Sequence, residues 1–252
     1  MFFEHPPTKL DLNFRLGPFP VRVHPLHWLG LALMGQGTFQ LGLEFGLLWI
    51  ACGFASILWH ELGHALAMRY YGSPARIQLI VFGGLAIPSY QSQSPWRRMA
   101  IAAAGPAAGF VLLAIVWGSN QLAPWAADGP AMLKFLYLFL VTINLFWTLL
   151  NLLPVWPLDG SRILREVLVV RRLRQPDYTT QQISLGTAVA LGIVGIVANF
   201  GPREAVADVF AAWPWWLTWM IPGPMMTLFL FVLAYQSYEM MNRLRRPRLY
   251  VD

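Results

Sequence analysis

Charge is what this sequence has least of: 12% of its 252 residues are Asp, Glu, Lys or Arg, where a soluble globular domain carries about 25%. A chain so poor in charge and 57% apolar is not an ordinary soluble globule. It is not disordered either, since disorder needs low hydrophobicity and high charge. Cysteine is nearly absent as well. Cys52 is the single thiol and sits in an apolar run, which excludes a disulfide framework and a cysteine-based metal cluster and leaves a small buried hydrophobe. The first residues, with Glu4, Lys9, Asp11 and Arg15, contain no apolar core of signal-peptide length, so residues 1–24 read as a polar cytoplasmic tail. No internal repeat, low-complexity tract or separate soluble domain is visible.

What is present is apolar length. Stretches fall at about 25–40, 44–70, 97–118, 131–153, 184–200 and 214–239, and a bilayer core of about 30 Å needs around 20 helical residues. The expected fold is therefore an all-α polytopic membrane protein of about six transmembrane helices. Residues 25–239 read as one transmembrane domain, and 240–252 as a basic cytoplasmic tail. The first stretch is marginal, with Gly30, Gly35, Gly37, Gln36 and Gln40; the last is interrupted by Pro222, Gly223 and Pro224. A re-entrant or broken helix is allowed at either end.

The 18 basic residues against 12 acidic ones give a net charge of +6, which invites nucleic acid, anionic lipid or membrane topology as its explanation. Their distribution decides. With the N-terminus inside, the inside segments hold Lys9, Arg15 and Arg22, then Arg69, Arg76, Arg97 and Arg98, then Arg162, Arg165, Arg171, Arg172 and Arg174, then Arg243, Arg245, Arg246 and Arg248; only Lys134 and Arg203 fall outside. This follows the positive-inside rule and predicts N-in, C-in topology. Trp213, Trp215, Trp216 and Trp219 then form an aromatic belt at the outer end of the last span. No basic face interleaved with aromatics exists to bind nucleic acid. The inside loop at about 155–183 is too short to fold alone.

The chemistry lies in two places. Residues 57–67 read Ile-Leu-Trp-His-Glu-Leu-Gly-His-Ala-Leu-Ala. On a helix His60 and His64 share a face and can offer two nitrogens to one tetrahedral metal, with Glu61 placed to act as general base. Unpartnered, such a cluster would be expensive in a bilayer, at about 2.5–3.5 kcal/mol per ionisable group on insertion scales. A metal resolves that cost. A catalytic zinc usually has three protein ligands and a water. The best third donor is Asp159, in the run Asn151-Leu-Leu-Pro154-Val-Trp-Pro157-Leu-Asp159-Gly160, where the prolines stop a helix and the glycine permits a bend that can aim the carboxylate back into the bundle. Both motifs fall toward the cytoplasmic ends of spans running the same way. Glu44, at the outer end of its span, lies about 24 Å along the helix from His60. His24 and His27, flanking Pro25, read as interfacial or loop residues.

The His24-Pro25 pair, the HELGH helix, the Phe82-Gly83-Gly84 segment, Ala104-Gly105-Pro106 and the Asn151-to-Asp159 motif together resemble the site-2 protease family of intramembrane zinc metalloproteases, in its short, sporulation-factor-processing branch. The resemblance covers roughly residues 21–165. It implies one zinc per chain held by His60, His64 and Asp159, Glu61 as base, and Asn151 contacting substrate or the developing oxyanion. Asn144 shares the face of Asn151 at seven residues' spacing, where substrate contact or packing would serve. The β-rich run Ile77-Gln78-Leu79-Ile80-Val81 with Gly83 and Gly84 resembles the family's small membrane-associated β-hairpin, whose edge could bind an unwound substrate by strand addition. Two departures stand out: Gly109 where the family often has Asn, and Ser161 where a second Gly is usual. The implied substrate is a transmembrane protein, cut within or near its span, with a regulatory membrane protein as a further partner. The implied place is a bacterial cytoplasmic membrane. On the residues alone two other readings stay open: an ion or proton transporter using the His-Glu-His-Asp cluster, and an inactive relative that binds membrane proteins without cutting them. Zinc-dependent hydrolysis of a lipid or modified peptide has no positive sign.

Overall fold

The computed structural model describes residues 6–81, 83–90, 92, 94–202 and 222–245. The chain divides into two compact units, Met1–Asn151 and Leu152–Asp252.

The first unit opens with a β-hairpin, β1 (Leu12–Leu16) and β2 (Phe19–Val23), turned at Gly17, whose φ of 56° suits a residue without Cβ. The alternating burial of β2, with Phe19, Val21 and Val23 inside, is the period-two signature of a half-buried strand. The polar beginning expected to be a tail is thus built into the fold. His24 caps the helix that follows, its Nδ1 accepting from Leu26 N–H at 3.2 Å, and Pro25 occupies the first turn, where its missing N–H is no loss. This helix, α1 (Pro25–Met34), ends at Gly35 and gives way to a 3-10 turn, Gln36–Gln40. Ten residues reach about 15 Å, half of a bilayer core, so this helix by itself is too short for the expected first span.

Next come α2 (Leu43–Tyr70), a turn at Gly72 with φ of 91°, β3 (Ala75–Ile80), β4 (Gly83–Pro88), α3 (Pro95–Leu122) and α4 (Ala131–Asn151). The four strands form one sheet in the order β1-β2-β3-β4, antiparallel except that β2 runs parallel to β3. An all-α expectation with one small hairpin was therefore too narrow. The β2–β3 pairing joins segments more than fifty residues apart (Val21 with Ile77), which no local pattern reveals. Small residues let α2 and α3 approach closely: a methyl on Gly63 would lie 2.5 Å from Ala104 O and 2.7 Å from Ala108 Cβ, as at helix contacts in membranes. Trp59 Nε1 donates to Ala108 O across the same seam at 2.8 Å.

The second unit holds α5 (Asp159–Val170), α6 (Pro176–Phe200) and α7 (Pro224–Arg245). The stretch 155–183, expected as a loop, contains all of α5 and the start of α6. Its order comes partly from polar ties: Arg165 Nε donates to Asp177 at 2.5 Å and its Nη1 to Glu166 at 2.6 Å, and hydrogen bonding to Asp177 foremost raises the guanidinium pKa further. Helices α6 and α7 pack through Gly192 against Phe231 and Gly195 against Thr227. Among the described residues four helices, α2, α3, α4 and α6, are long and apolar enough to cross a membrane. In none is more than 33% of the apolar window buried in the protein. Six spans are not supported: α1 is too short, α7 carries Gln236, Glu239, Asn242, Arg243 and Arg245 along its second half, and residues 214–221 of the sixth expected stretch lie outside the described residues, as does the tryptophan cluster.

Candidate metal centre

The HELGH segment lies well inside α2, so helical geometry alone sets the relation of its side chains. His60, Glu61 and His64 are all buried, at 2%, 5% and 3% exposure. The two imidazoles meet with Nε2 atoms 3.2 Å apart and ring planes at 78°. Two nitrogens each about 2.05 Å from a tetrahedral zinc would be about 3.3 Å apart, so the pair already has the spacing that such an ion requires. His64 Nδ1–H donates to Ile101 O of α3 at 2.7 Å. In the neutral ring this leaves the Nε2 lone pair for a metal, the arrangement by which a backbone carbonyl fixes the tautomer of a ligating histidine.

The space for these rings comes from a glycine on the facing helix. A methyl on Gly105 would collide with Nε2 of both His64 and His60. Pro106 follows inside α3, where it removes one ladder hydrogen bond next to the carbonyl that receives His64. Glycine, proline and the histidine pair thus form one cradle within the first unit.

Glu61 points elsewhere, toward β4. A Cβ on Gly84 would stand 2.7 Å from Glu61 Cδ, so the strand backbone lies directly on the carboxylate. Gly83 in turn faces the indole of Trp147, which a methyl on that glycine would meet at 3.3 Å. The register fixes what this strand offers. Ser89 N–H donates to Pro74 O at 2.8 Å, so by the two-residue alternation of antiparallel pairs residues 83, 85 and 87 bond toward β3. Gly84 and Ala86 then turn their N–H and C=O away from β3, where no further strand pairs among the described residues. Pro88 contributes only a carbonyl to that edge.

The other expected site residues are placed as follows. Asn144 is buried, and its amide donates to Ser56 Oγ at 2.9 Å and Leu140 O at 2.8 Å, which ties it into the α2–α4 contact. Asn151 ends α4, buried at 7% exposure, with its amide donating to Trp147 O at 2.9 Å. Asp159, in the second unit, is the first residue of α5, buried at 4% exposure and 3.7 Å from Arg162 Nη1. The segment before it folds back: Gly160 lies so close to Leu152 O that no Cβ fits. Ser184 Oγ donates to Pro154 O at 3.1 Å and accepts Trp156 N–H at 3.0 Å, satisfying backbone that no helix serves. Both departures have local accounts. Ser161 donates to Leu158 O at 2.7 Å in the first turn of α5, and the gap at Gly109 is filled by the hydroxyl of Thr148.

Sequence reasoning missed three contributors. Gly105 was legible as part of a motif but not as the room for two imidazoles. Ser56 and Thr148, each 1% exposed, carry polar atoms inside spans with no motif of their own.

Comparison with known proteins agrees with this geometry. The model of peptidase family M50 matches residues 49–124 and 125–195. A provisionally named zinc metalloprotease of Synechocystis sp. is 33% identical over 188 residues, 72% of this chain and 47% of that protein. Stage IV sporulation protein FB of Bacillus subtilis is 32% identical over 147 residues, 57% of this chain and 46% of that protein. The chain therefore spans about half the length of the curated relatives it matches. Among solved structures, the site-2 protease from Methanocaldococcus jannaschii shares the fold, with a TM-score of 0.56 at 19% identity over 96% of this chain and 99% of that one.

Proposed function

From the premise that this chain belongs to peptidase family M50, the site-2 protease family, we propose that it is an integral membrane zinc metalloendopeptidase that cuts a membrane protein within or near a transmembrane segment. The observation that carries the reading is the His60–His64 pair at 3.2 Å, cradled by Gly105 and fixed by Ile101 O. Asp159, at the family's motif position and buried, is the third zinc ligand. A zinc ion there would lower the pKa of its water to about 7 and polarise a carbonyl.

The chain's own residues do the rest. Glu61 accepts the proton of the attacking water and delivers it to the leaving amide nitrogen. The Asn151 amide donates to the carbonyl oxygen as negative charge develops. Because a helical carbonyl is tied up in its own ladder, the substrate must unwind before attack, and the outward N–H and C=O groups of Gly84 and Ala86 suit an extended segment beside Glu61. In this reading both termini and the catalytic residues face the cytoplasm, following the arginine distribution. A regulatory membrane protein is a further partner by family analogy.

The test is Glu61→Gln in purified enzyme. Zinc should remain at one per chain while chelator-sensitive cleavage falls to background. Residual zinc-dependent proteolysis would remove Glu61 from its role. A chain that holds no zinc and cuts no substrate would instead favour the transporter reading, and cleavage that ignores chelators would remove zinc from the mechanism.

A further inference from the structure

His27 belongs to none of the machinery above, yet it is fully buried, at 0% exposure. Its Nδ1–H donates to Ile80 O at 2.8 Å, across 53 residues of sequence. Its ring meets Trp28 and Phe54 edge-on, and its Nε2 is buried with no hydrogen-bond partner among the described residues. A phenylalanine would fill the same space and leave no nitrogen unsatisfied, so packing alone does not account for a histidine here. The donor does.

We propose that α1 is a latch for the β3–β4 hairpin, with His27 and Gly30 as positioning residues that hold the outward edge of β4 against Glu61. Three contacts support it, and they advance in step. His24 N–H donates to Leu79 O at 2.9 Å. His27 meets Ile80 O. Gly30, one turn further along the same face, leaves no room for a Cβ, which would stand 2.7 Å from the carbonyl carbon of Val81 and nearer still to its oxygen. Residues 24, 27 and 30 thus meet residues 79, 80 and 81 in order, ending at the turn between the two strands. The lever is short: Ile80 pairs with Gly83 and Leu79 with Gly84, and Gly84 is the residue lying on Glu61. A displaced turn therefore displaces the edge beside the general base, while the histidine pair, anchored on α2 and α3, stays where it is. This also gives a ten-residue helix, too short to span, something to do.

The inference rests on the proteolytic reading only for what the edge is used for; the latch itself is a property of the fold. The test uses the full chain in detergent with labelled casein, an unstructured polypeptide, as probe. Zinc content, KM, kcat and amide hydrogen exchange of residues 79–86 are measured for wild type, His27→Phe, His27→Asn and Gly30→Ala. His27→Phe and Gly30→Ala should keep zinc, speed exchange in the hairpin, and raise KM about tenfold with kcat within about twofold, the pattern of lost binding without lost chemistry. His27→Asn, whose amide N–H can stand near the place of Nδ1–H, should restore both hairpin protection and KM. Unchanged hairpin exchange in both His27→Phe and Gly30→Ala overturns the latch. Faster exchange with an unchanged KM overturns the link from hairpin to substrate. Failure of His27→Asn to recover overturns the role of the donor. If wild type itself shows no zinc-dependent cleavage, the proteolytic reading falls, and the exchange measurements still decide the latch.

Discussion

Two buried histidines of the first unit make the same hydrogen bond to different ends. His64 donates Nδ1–H to Ile101 O at 2.7 Å and His27 donates Nδ1–H to Ile80 O at 2.8 Å. Both bonds set the same tautomer, leaving Nε2 with a lone pair. What differs is the company of that lone pair. At His64 it meets a second imidazole across a gap kept open by Gly105; at His27 it is shut in beside Trp28 and Phe54. The tautomer alone does not make a metal ligand. A second donor and an open volume do, and without them the same side chain is a strut between backbone segments.

Substitutions should separate the two roles. The largest effect is expected from His64→Ala, which removes one of two adjacent donors: zinc should be lost from the purified protein, and chelator-sensitive proteolysis with it. Retention of one zinc per chain would break the comparison at its first term. Gly105→Ala comes next. It leaves every donor in place but fills the cradle, and zinc affinity measured by competition with a chelator should fall about 10–100-fold, the range seen when groups that orient metal ligands are disturbed. An unchanged affinity would mean that the space is not needed. Smaller again is the roughly tenfold KM effect of His27→Phe described above. The smallest should be Phe54→Leu, which removes ring contacts to His27 and Trp28, each worth about 0.5–1.5 kcal/mol, and should cost stability while leaving zinc content unchanged. A loss of zinc there would show that the two histidines are coupled after all.

The same contrast explains what could be read from the sequence. The histidine pair and Glu61 were legible because helical periodicity maps sequence spacing onto a face without help from the rest of the chain. The four apolar helices were legible by length for the same reason, within a few residues at most ends. The latch was not, because His27 matters through Ile80, and that contact depends on a parallel pairing of β2 with β3 that has no local signal. The sequence suggests loop or interfacial places for His24 and His27, whereas one caps α1 and the other is buried beneath the hairpin. The cradle was half legible: Gly105-Pro106 is plain in the sequence, but only the packing of α3 on α2 shows that the missing Cβ is where the imidazoles go. The spans at either end are not confirmed: at the first, apolar composition continues through Gly35, where the helix does not, and of the last only the part from Pro224 onward is a described helix.

Pro88 has a consequence of its own. An unpaired strand edge invites a second copy of itself, and in a crowded membrane such contacts can grow into aggregates. The β4 edge turns out only Gly84 and Ala86 as complete donor and acceptor pairs before Pro88 withholds its N–H, enough to seat a short extended segment but too little for two copies to build a long shared sheet. Self-association along this edge is thus cut short by one imino acid, and the unprotected backbone is confined to the few ångströms lying on Glu61.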